Sequence, residues 1–363
     1  MHCQNLIGAT LILLLGSWFP GDRENLQGQD AKRFQKIFDT WDRNGDGKLV
    51  PDELPRNLRR NFERVDTNRD GFISREEDAR FRLGNRKNRT AIPGGIRSLK
   101  DLPYVSGGHQ RQKLDLHFHP EGKSRRPLVI WIHGGGWRAG SKDRCPALFL
   151  LEQGYAVASI NYRLSQHAIF PAQVQDCKSA IAWLRQNAEK YNLDPDRFGV
   201  WGSSAGGHLS ALVGTSANVR HLEPTGAEAD ASRVQAVCDW FGPTDVLKMN
   251  NQAGEKGVLD HDAADSPESQ LVGGAIQENR EQARKLNPIE YLSADDPPFL
   301  IMHGDRDFLV PIQQSQQLHA ALQKAGRPSE LVVIEGKGHG GFDTQQVRPQ
   351  IIRFFDRHLK KKK

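Results

Sequence analysis

One stretch constrains the fold of this chain more than any other: Phe198-Gly199-Val200-Trp201-Gly202-Ser203-Ser204-Ala205-Gly206-Gly207-His208-Leu209. Its first four residues read as a short buried strand, and residues 207–213 read as a helix. A strand that passes into a helix through Gly-x-Ser-x-Gly must turn sharply, and glycine stands on both sides because side chains have no room there. Ser204 is then held at the turn, with the first helix amides aimed at it. Ser203 is the neighbouring alternative, but it lacks the symmetrical glycines.

The flanking sequence supplies partners for such a serine. Apolar runs of strand length at 114–118, 128–132, 156–160, 198–201, 234–240, 299–302 and 331–334 alternate with longer helix-like stretches. That pattern predicts a largely parallel sheet covered by helices on both faces. His133-Gly134-Gly135-Gly136-Trp137 follows the second run. Its glycines let backbone N–H groups turn toward a developing negative oxygen, which makes Gly135 and Gly136 candidate donors, with Ala205 from the serine turn as a third. His133 reads as a brace for this loop. Asp307 lies beyond the 299–302 run and is followed by Leu309-Val310-Pro311, which should bury it; Asp305 and, more weakly, Asp245 compete for its role. His339 sits in Gly336-Lys337-Gly338-His339-Gly340-Gly341, a loop with no packing reason to hold an imidazole. Nucleophile, base, orienting acid and oxyanion donors are all present. The long polar insertion 248–296 is a candidate cap over such a site.

Nearer the amino terminus two loops repeat one pattern, with their first aspartates 24 residues apart. Asp42, Asn44, Asp46, the Lys48 carbonyl and Glu53 place oxygens at positions 1, 3, 5, 7 and 12. Asp66, Asn68, Asp70, the Phe72 carbonyl and Glu77 do the same. Glycine stands at position 6 and an apolar residue at position 8, Leu49 and Ile73, which can pair the loops. Calcium takes six to eight oxygens closed by a bidentate carboxylate, so Ca2+ is the expected cofactor, in a structural or attachment role. The loops resemble EF-hands. Only 12 residues separate them, so a single helix should serve both. Val50 offers no side-chain oxygen at position 9 and Pro55 begins that helix, which makes the first loop the weaker site.

At 363 residues the chain fits one small and one large domain. Its 37% hydrophobic and 26% charged composition is that of a globular protein. The net charge of +6 is diffuse, and the only basic run is the Lys360 to Lys363 tail. With no basic stripe interleaved with aromatics, nucleic acid is not an expected partner. The apolar run Leu6 to Leu15 predicts export through a signal peptide, or an uncleaved N-terminal anchor. The expected divisions are 1–25 for that segment, 31–83 for the EF-hand pair, 84–103 for a basic flexible linker, 104–358 for the catalytic domain and 359–363 for the tail. In an exported protein Cys145 and Cys177 could pair, whereas Cys238 reads as a free buried thiol.

From 104 to 358 the sequence resembles the α/β-hydrolase esterases of the hormone-sensitive-lipase and bacterial feruloyl-esterase-like group. The resemblance rests on 133–137, 202–207, Trp240-Phe241-Gly242-Pro243-Thr244-Asp245, and the Asp307 and His339 segments, in the order serine, acid, histidine. Ser203 departs from the lipase-like members, which commonly carry an acid there. The resemblance implies an α/β-hydrolase fold behind a small all-α EF-hand domain. It implies a serine carboxylesterase acting on small or carbohydrate-linked esters through Ser204, Asp307 and His339, with no cofactor for catalysis and with an attachment partner for the EF-hand module. A peptidase or arylformamidase-like amidase on the same scaffold is the alternative, as is a calcium-dependent binding protein with a relic hydrolase domain.

Overall fold

A computed structural model describes residues 35–55, 59, 62–87, 94–122, 124–217, 219–226 and 228–360. The apolar run at 6–15 and residues 361–363 lie outside these. The chain divides into two compact units at Arg89/Thr90.

In the smaller unit a helix over residues 35–41 leads into the first loop. Strand β1 (Lys48–Leu49) pairs antiparallel with β2 (Ile73–Ser74), placing Leu49 opposite Ile73 as their shared loop position requires. The intervening helix is described at Phe62–Val65, and Arg75–Lys87 closes the second loop, running past the expected boundary at 83. Phe38, Leu49, Leu54, Val65 and Ile73 form a small core of their own.

The larger unit is built on an eight-stranded sheet in the order β10-β9-β8-β7-β5-β6-β4-β3. Its strands are β3 (Arg97–Pro103), β4 (Lys113–Phe118), β5 (Arg126–Ile132), β6 (Ala156–Ile160), β7 (Leu193–Ser203), β8 (Ala236–Trp240), β9 (Phe299–Gly304) and β10 (Ser329–Ile334). All neighbours from β6 to β10 are parallel, whereas β4 runs antiparallel to both β6 and β3. Strand β5 is buried from end to end because helices cover both sheet faces. Leu128, Ile130 and Ile132 join one apolar core with the Ala172–Gln186, Ala205–Thr215 and Gln313–Lys324 helices. Val129 and Trp131 join the other core, with the helices Pro146–Gln153 and Thr344–Leu359. This is the α/β-hydrolase fold.

Two expectations need correction. The segment 84–103 is not a linker throughout, because Arg97–Pro103 is the β3 edge strand, bonded to β4. An edge strand buries only part of its surface, so Leu99 and Leu102 among charged residues suffice, and a bulge between them interrupts the alternation. The tail is shorter than expected, since the last helix ends at Leu359 and Lys360 pairs with Asp356. The pairing left open for Cys145 and Cys177 is not made: neither forms a disulfide, and both are buried, as is Cys238. Among the described residues no helix is long and apolar enough to cross a membrane.

Asp176 ties the sheet's antiparallel edge to the body. It is buried and accepts from Arg163 Nη2 (2.7 Å), the Arg163 amide (2.9 Å) and Gln112 Nε2 (2.7 Å). Removing one member of such a network strands the others. Asp176→Ala is expected to lower the unfolding free energy by about 3 kcal/mol in urea titration. A loss below about 1 kcal/mol would show that the network is not the tie.

Candidate active site

The site lies at the carboxyl ends of β5, β7, β9 and β10, where open parallel sheets present loops to ligands. Ser204 takes φ 56° and ψ −124°, a strained conformation for a non-glycine residue, costing about 1–3 kcal/mol. Its neighbours allow it. A Cβ at Gly202 would stand 2.1 Å from the Gly206 carbonyl, and one at Gly206 would stand 2.1 Å from that of Ile132. The Ser204 amide donates to Trp240 O (2.8 Å), locking the turn onto β8.

Ser204 Oγ lies 2.9 Å from His339 Nε2, and His339 Nδ1 lies 2.7 Å from Asp307 Oδ2. Residues from three loops, 135 and 32 positions apart, thus form one hydrogen-bonded chain. Asp305 is excluded from it, because its Oδ1 accepts the Gly336 amide at 2.6 Å. Asp245 caps a 3₁₀ turn and accepts from Leu247 N, as a turn residue. Burial pushes the Asp307 carboxyl up, but donors outweigh it: His303, His339 and the Val310 amide hold it well below the usual carboxylate range.

The glycine loop carries Gly135 at φ 115° and Gly136 at φ 57°, conformations that favour glycine. Among the described residues the N–H groups of Gly135, Gly136 and Ala205 have no hydrogen-bond acceptor. The insertion reaches this loop: a Cβ on Gly136 would come within 3.3 Å of Pro267, at the head of the helix Pro267–Val272.

Sequence reasoning passed over several contributors. His208 accepts from Trp137 Nε1 (3.2 Å) and donates through Nε2 to Leu286 O (2.7 Å), joining the glycine loop, the serine helix and the insertion. His303 Nε2 stands 3.2 Å from Asp307 Oδ2, a second imidazole on the same acid. Its place four residues before Asp307, at the end of a buried strand, was the one visible signal. Arg111 reaches the glycine loop from between β3 and β4, and its sequence neighbourhood gives no hint of this.

In the smaller unit the two loops share one hydrogen-bond register. Asp42 and Asp66 accept the amides of Gly47 and Gly71 (2.9 and 3.1 Å). Asn44 and Asn68 accept those of Asp46 and Asp70 (3.0 and 3.1 Å), and Asp46 and Asp70 those of Lys48 and Phe72 (2.8 and 3.2 Å). Glu53 reaches back to Arg43 N (3.1 Å) and Glu77 to Thr67 N (2.8 Å). Among the described residues no three acidic, histidine or cysteine side chains stand together tightly enough to hold an ion as they are. The donor type nevertheless fits calcium: every donor is oxygen, each carboxylate keeps spare lone pairs, and Asp42 Oδ1 is buried without a hydrogen-bond partner.

The family model for BD-FAE matches residues 114–322. The chain belongs to this family, part of the hormone-sensitive-lipase and feruloyl-esterase-like group. A model for the EF hand matches residues 59–77, which include the second loop. Esterase LipQ of Mycobacterium tuberculosis is 32% identical over 289 residues, covering 76% of this chain and 66% of LipQ. Esterase LipC of the same organism is 33% identical over 219 residues, covering 59% and 53%. The chain thus spans less than two thirds of these relatives. A truncated carbohydrate esterase from gut microbiota is 35% identical in sequence, with a TM-score of 0.66, covering 73% of this chain and 97% of that one.

Beneath the serine turn Asp239 is fully buried, accepts the Gly242 amide through Oδ1 (3.0 Å) and leaves Oδ2 without a partner. Burial pushes its carboxyl up to about 7, against the lowering effects of that amide and of His303. The unfolded carboxyl releases its proton near pH 4, so folded Asp239 holds more proton between about pH 4 and 7. Its share of stability is full below about pH 4 and is lost as pH rises through 7. Asp239→Asn is expected to flatten the fall in unfolding free energy between about pH 4 and 8. An unchanged slope would show that Asp239 ionises normally.

Proposed function

We propose that this protein is a serine carboxylesterase acting on small or carbohydrate-linked carboxylic esters, with a calcium-binding N-terminal module. The observation that carries the reading is the chain Ser204 Oγ to His339 Nε2 to Asp307 Oδ2, at 2.9 and 2.7 Å, beside amides without acceptors. The esterase relatives and the carbohydrate-esterase neighbour support the substrate class.

The mechanism follows from the geometry. Ser204 Oγ attacks the ester carbonyl carbon while its proton passes to His339 Nε2. Asp307 fixes the Nδ1–H tautomer and stabilises the imidazolium. The carbonyl oxygen, now anionic, is received by the N–H groups of Gly135, Gly136 and Ala205, each worth about 3 kcal/mol in the transition state. Collapse of the intermediate expels the alcohol, which takes the proton from His339. Water then attacks the acyl-Ser204 ester with His339 again as base, releasing the acid and restoring the serine.

Turnover of p-nitrophenyl acetate, butyrate and feruloyl esters tests this. Ser204→Ala is expected to lower kcat by about 10⁵-fold or more, and Asp307→Asn by about 10⁴-fold. Asp305→Asn, which loses one hydrogen bond in the histidine loop, should cost about tenfold or less. Ser204→Ala matching wild type, or Asp305→Asn exceeding Asp307→Asn in effect, would overturn the assignment.

For the smaller unit the expected calcium ligands are Asp42, Asn44, Asp46, the Lys48 carbonyl and Glu53, and Asp66, Asn68, Asp70, the Phe72 carbonyl and Glu77. The ion takes no part in ester cleavage and would stiffen the loops. Calorimetric titration of the full chain with Ca2+ is expected to show two sites. Glu77→Gln should remove the tighter one and Glu53→Gln the weaker, while esterase kcat is unchanged. Isotherms indifferent to both substitutions would place the ligands elsewhere. The 6–15 run supports export, where calcium is abundant.

A further inference from the structure

The serine-esterase reading leaves open what aims the Gly135 N–H. Gly134 and Gly135 share one peptide plane, in which C=O and N–H point in opposite directions. Whatever holds the Gly134 carbonyl therefore sets where the Gly135 N–H points. The Gly134 oxygen lies 2.8 Å from His133 Nδ1. A carbonyl can only accept, so Nδ1 must carry the proton. On the far side of the ring, Nε2 lies 3.2 Å from Arg111 Nη2. A guanidinium can only donate, so Nε2 must be the bare nitrogen. The two contacts together admit one state of His133, the neutral Nδ1–H tautomer.

The surroundings hold that arrangement. Tyr162 stacks on the His133 ring at 4.4 Å between centroids and 16° between planes, and its hydroxyl donates to His133 O (2.9 Å). Arg111 is fixed by Nε donating to Tyr162 O (2.8 Å) and by Nη2 donating to Gly140 O (3.0 Å). Gly140 lies so close that a Cβ there would stand 2.4 Å from His133 Nδ1 and 2.3 Å from Gly134 O. No carboxylate lies within ion-pair distance of Arg111 among the described residues. Its guanidinium is spent on carbonyls, an amide oxygen and one imidazole.

We infer that Arg111 is a positioning residue for the esterase reaction: it fixes the His133 tautomer, and His133 aims the Gly135 N–H through the Gly134 carbonyl. The inference rests on the serine-esterase reading. Protonating His133 would set an Nε2–H against the Arg111 donors. Burial together with the Arg111 charge holds its pKa down to about 4, against the raising influence of the Gly134 carbonyl and of Asp143. Arg111 and Asp143 are the charged groups acting on the ring, from the β3–β4 connection and from beyond the glycine loop.

Two measurements test this. In the wild-type protein, ¹⁵N NMR of labelled histidine is expected to show His133 protonated on Nδ1 and bare on Nε2 down to pH 5. The opposite tautomer, or an imidazolium at pH 6, would overturn the inference without any variant having to fold. In kinetics, Arg111→Met should lower kcat about ten- to a hundredfold with KM nearly unchanged, because a misaimed donor is lost from the transition state. It should also move the protonation of His133 upward from its wild-type position, because the Arg111 charge no longer adds to the effect of burial. His133→Asn, which keeps a donor at the Nδ1 position, should retain more kcat than His133→Gln, and adding Arg111→Met to it should cost little more. An Arg111→Met protein with lowered Tm but wild-type kcat and pH profile would reduce Arg111 to a structural role and overturn the inference. Failure of the underlying reading would appear separately, as activity that survives Ser204→Ala.

Discussion

The close approach of β5, β7 and the serine helix is the constraint on which the rest of the site depends. The Gly206 Cα packs against the carbonyl of Ile132, the last residue of β5, and Gly202 packs against Gly206. Because of these contacts β7 passes into a helix without a loop, and Ser204 is left at positive φ with its hydroxyl outward. The same closeness fixes the glycine loop, since it begins one residue after Ile132. A Cβ at Gly134 would lie 2.6 Å from the Ser203 carbonyl. The placement of Ser204 and of the glycine loop are thus two consequences of one packing contact. Its strain, about 1–3 kcal/mol, is offset by a helix whose every residue is buried.

Around that contact the protein distributes charge sparingly. Asp307 is kept ionised by donors on both oxygens, from two histidines and from the amides of Leu309 and Val310 (3.0 and 2.9 Å). Asp239, equally buried, has one amide and so favours its proton. His133 and His208 are held neutral by burial, each down to about 4. The ring of His339 packs T-shaped with that of Phe241, centroids 4.6 Å apart, and its side chain is one-fifth exposed with the Asp307 carboxylate beside it. Local surroundings give chemically identical side chains different work.

Much of this was legible in the sequence where side-chain type alone dictated geometry. The glycines at 202 and 206 announced the serine turn, and a histidine among four glycines announced the imidazole that lies between Ser204 and Asp307. The apolar residues after Asp307 distinguished it from Asp305, since their amides are its donors. Seven of the eight strands of the large sheet were visible as apolar runs, and one was missed, β3, an edge strand that carries charged residues and only two leucines. Arg111 could not be found, because its partners stand 22 to 51 positions away and a lone arginine near a turn has no distinguishing pattern. Long-range hydrogen bonds to backbone carbonyls leave no trace in composition or periodicity.

The 248–296 insertion shows what those long-range bonds accomplish. Val258 N donates to Phe308 O (3.1 Å) and His261 Nε2 to Leu309 O (2.9 Å), so the insertion grips the loop that carries Asp307. Seven residues on, Glu268 faces His261 Nδ1 at 3.1 Å within a buried pair. Glu268 follows Pro267, which abuts Gly136 of the donor loop. Leu286 accepts from His208 on the serine helix, and Leu271 accepts from Phe170 N (2.9 Å). One segment therefore touches the acid loop, the donor loop and the serine helix, parts that the sheet alone joins only through their strands. A polar insertion with little core of its own gains its order from these contacts. In return it ties the Asp307 loop and the glycine loop to the serine helix, holding groups that the proposed acyl transfer needs in place to within about 0.5 Å.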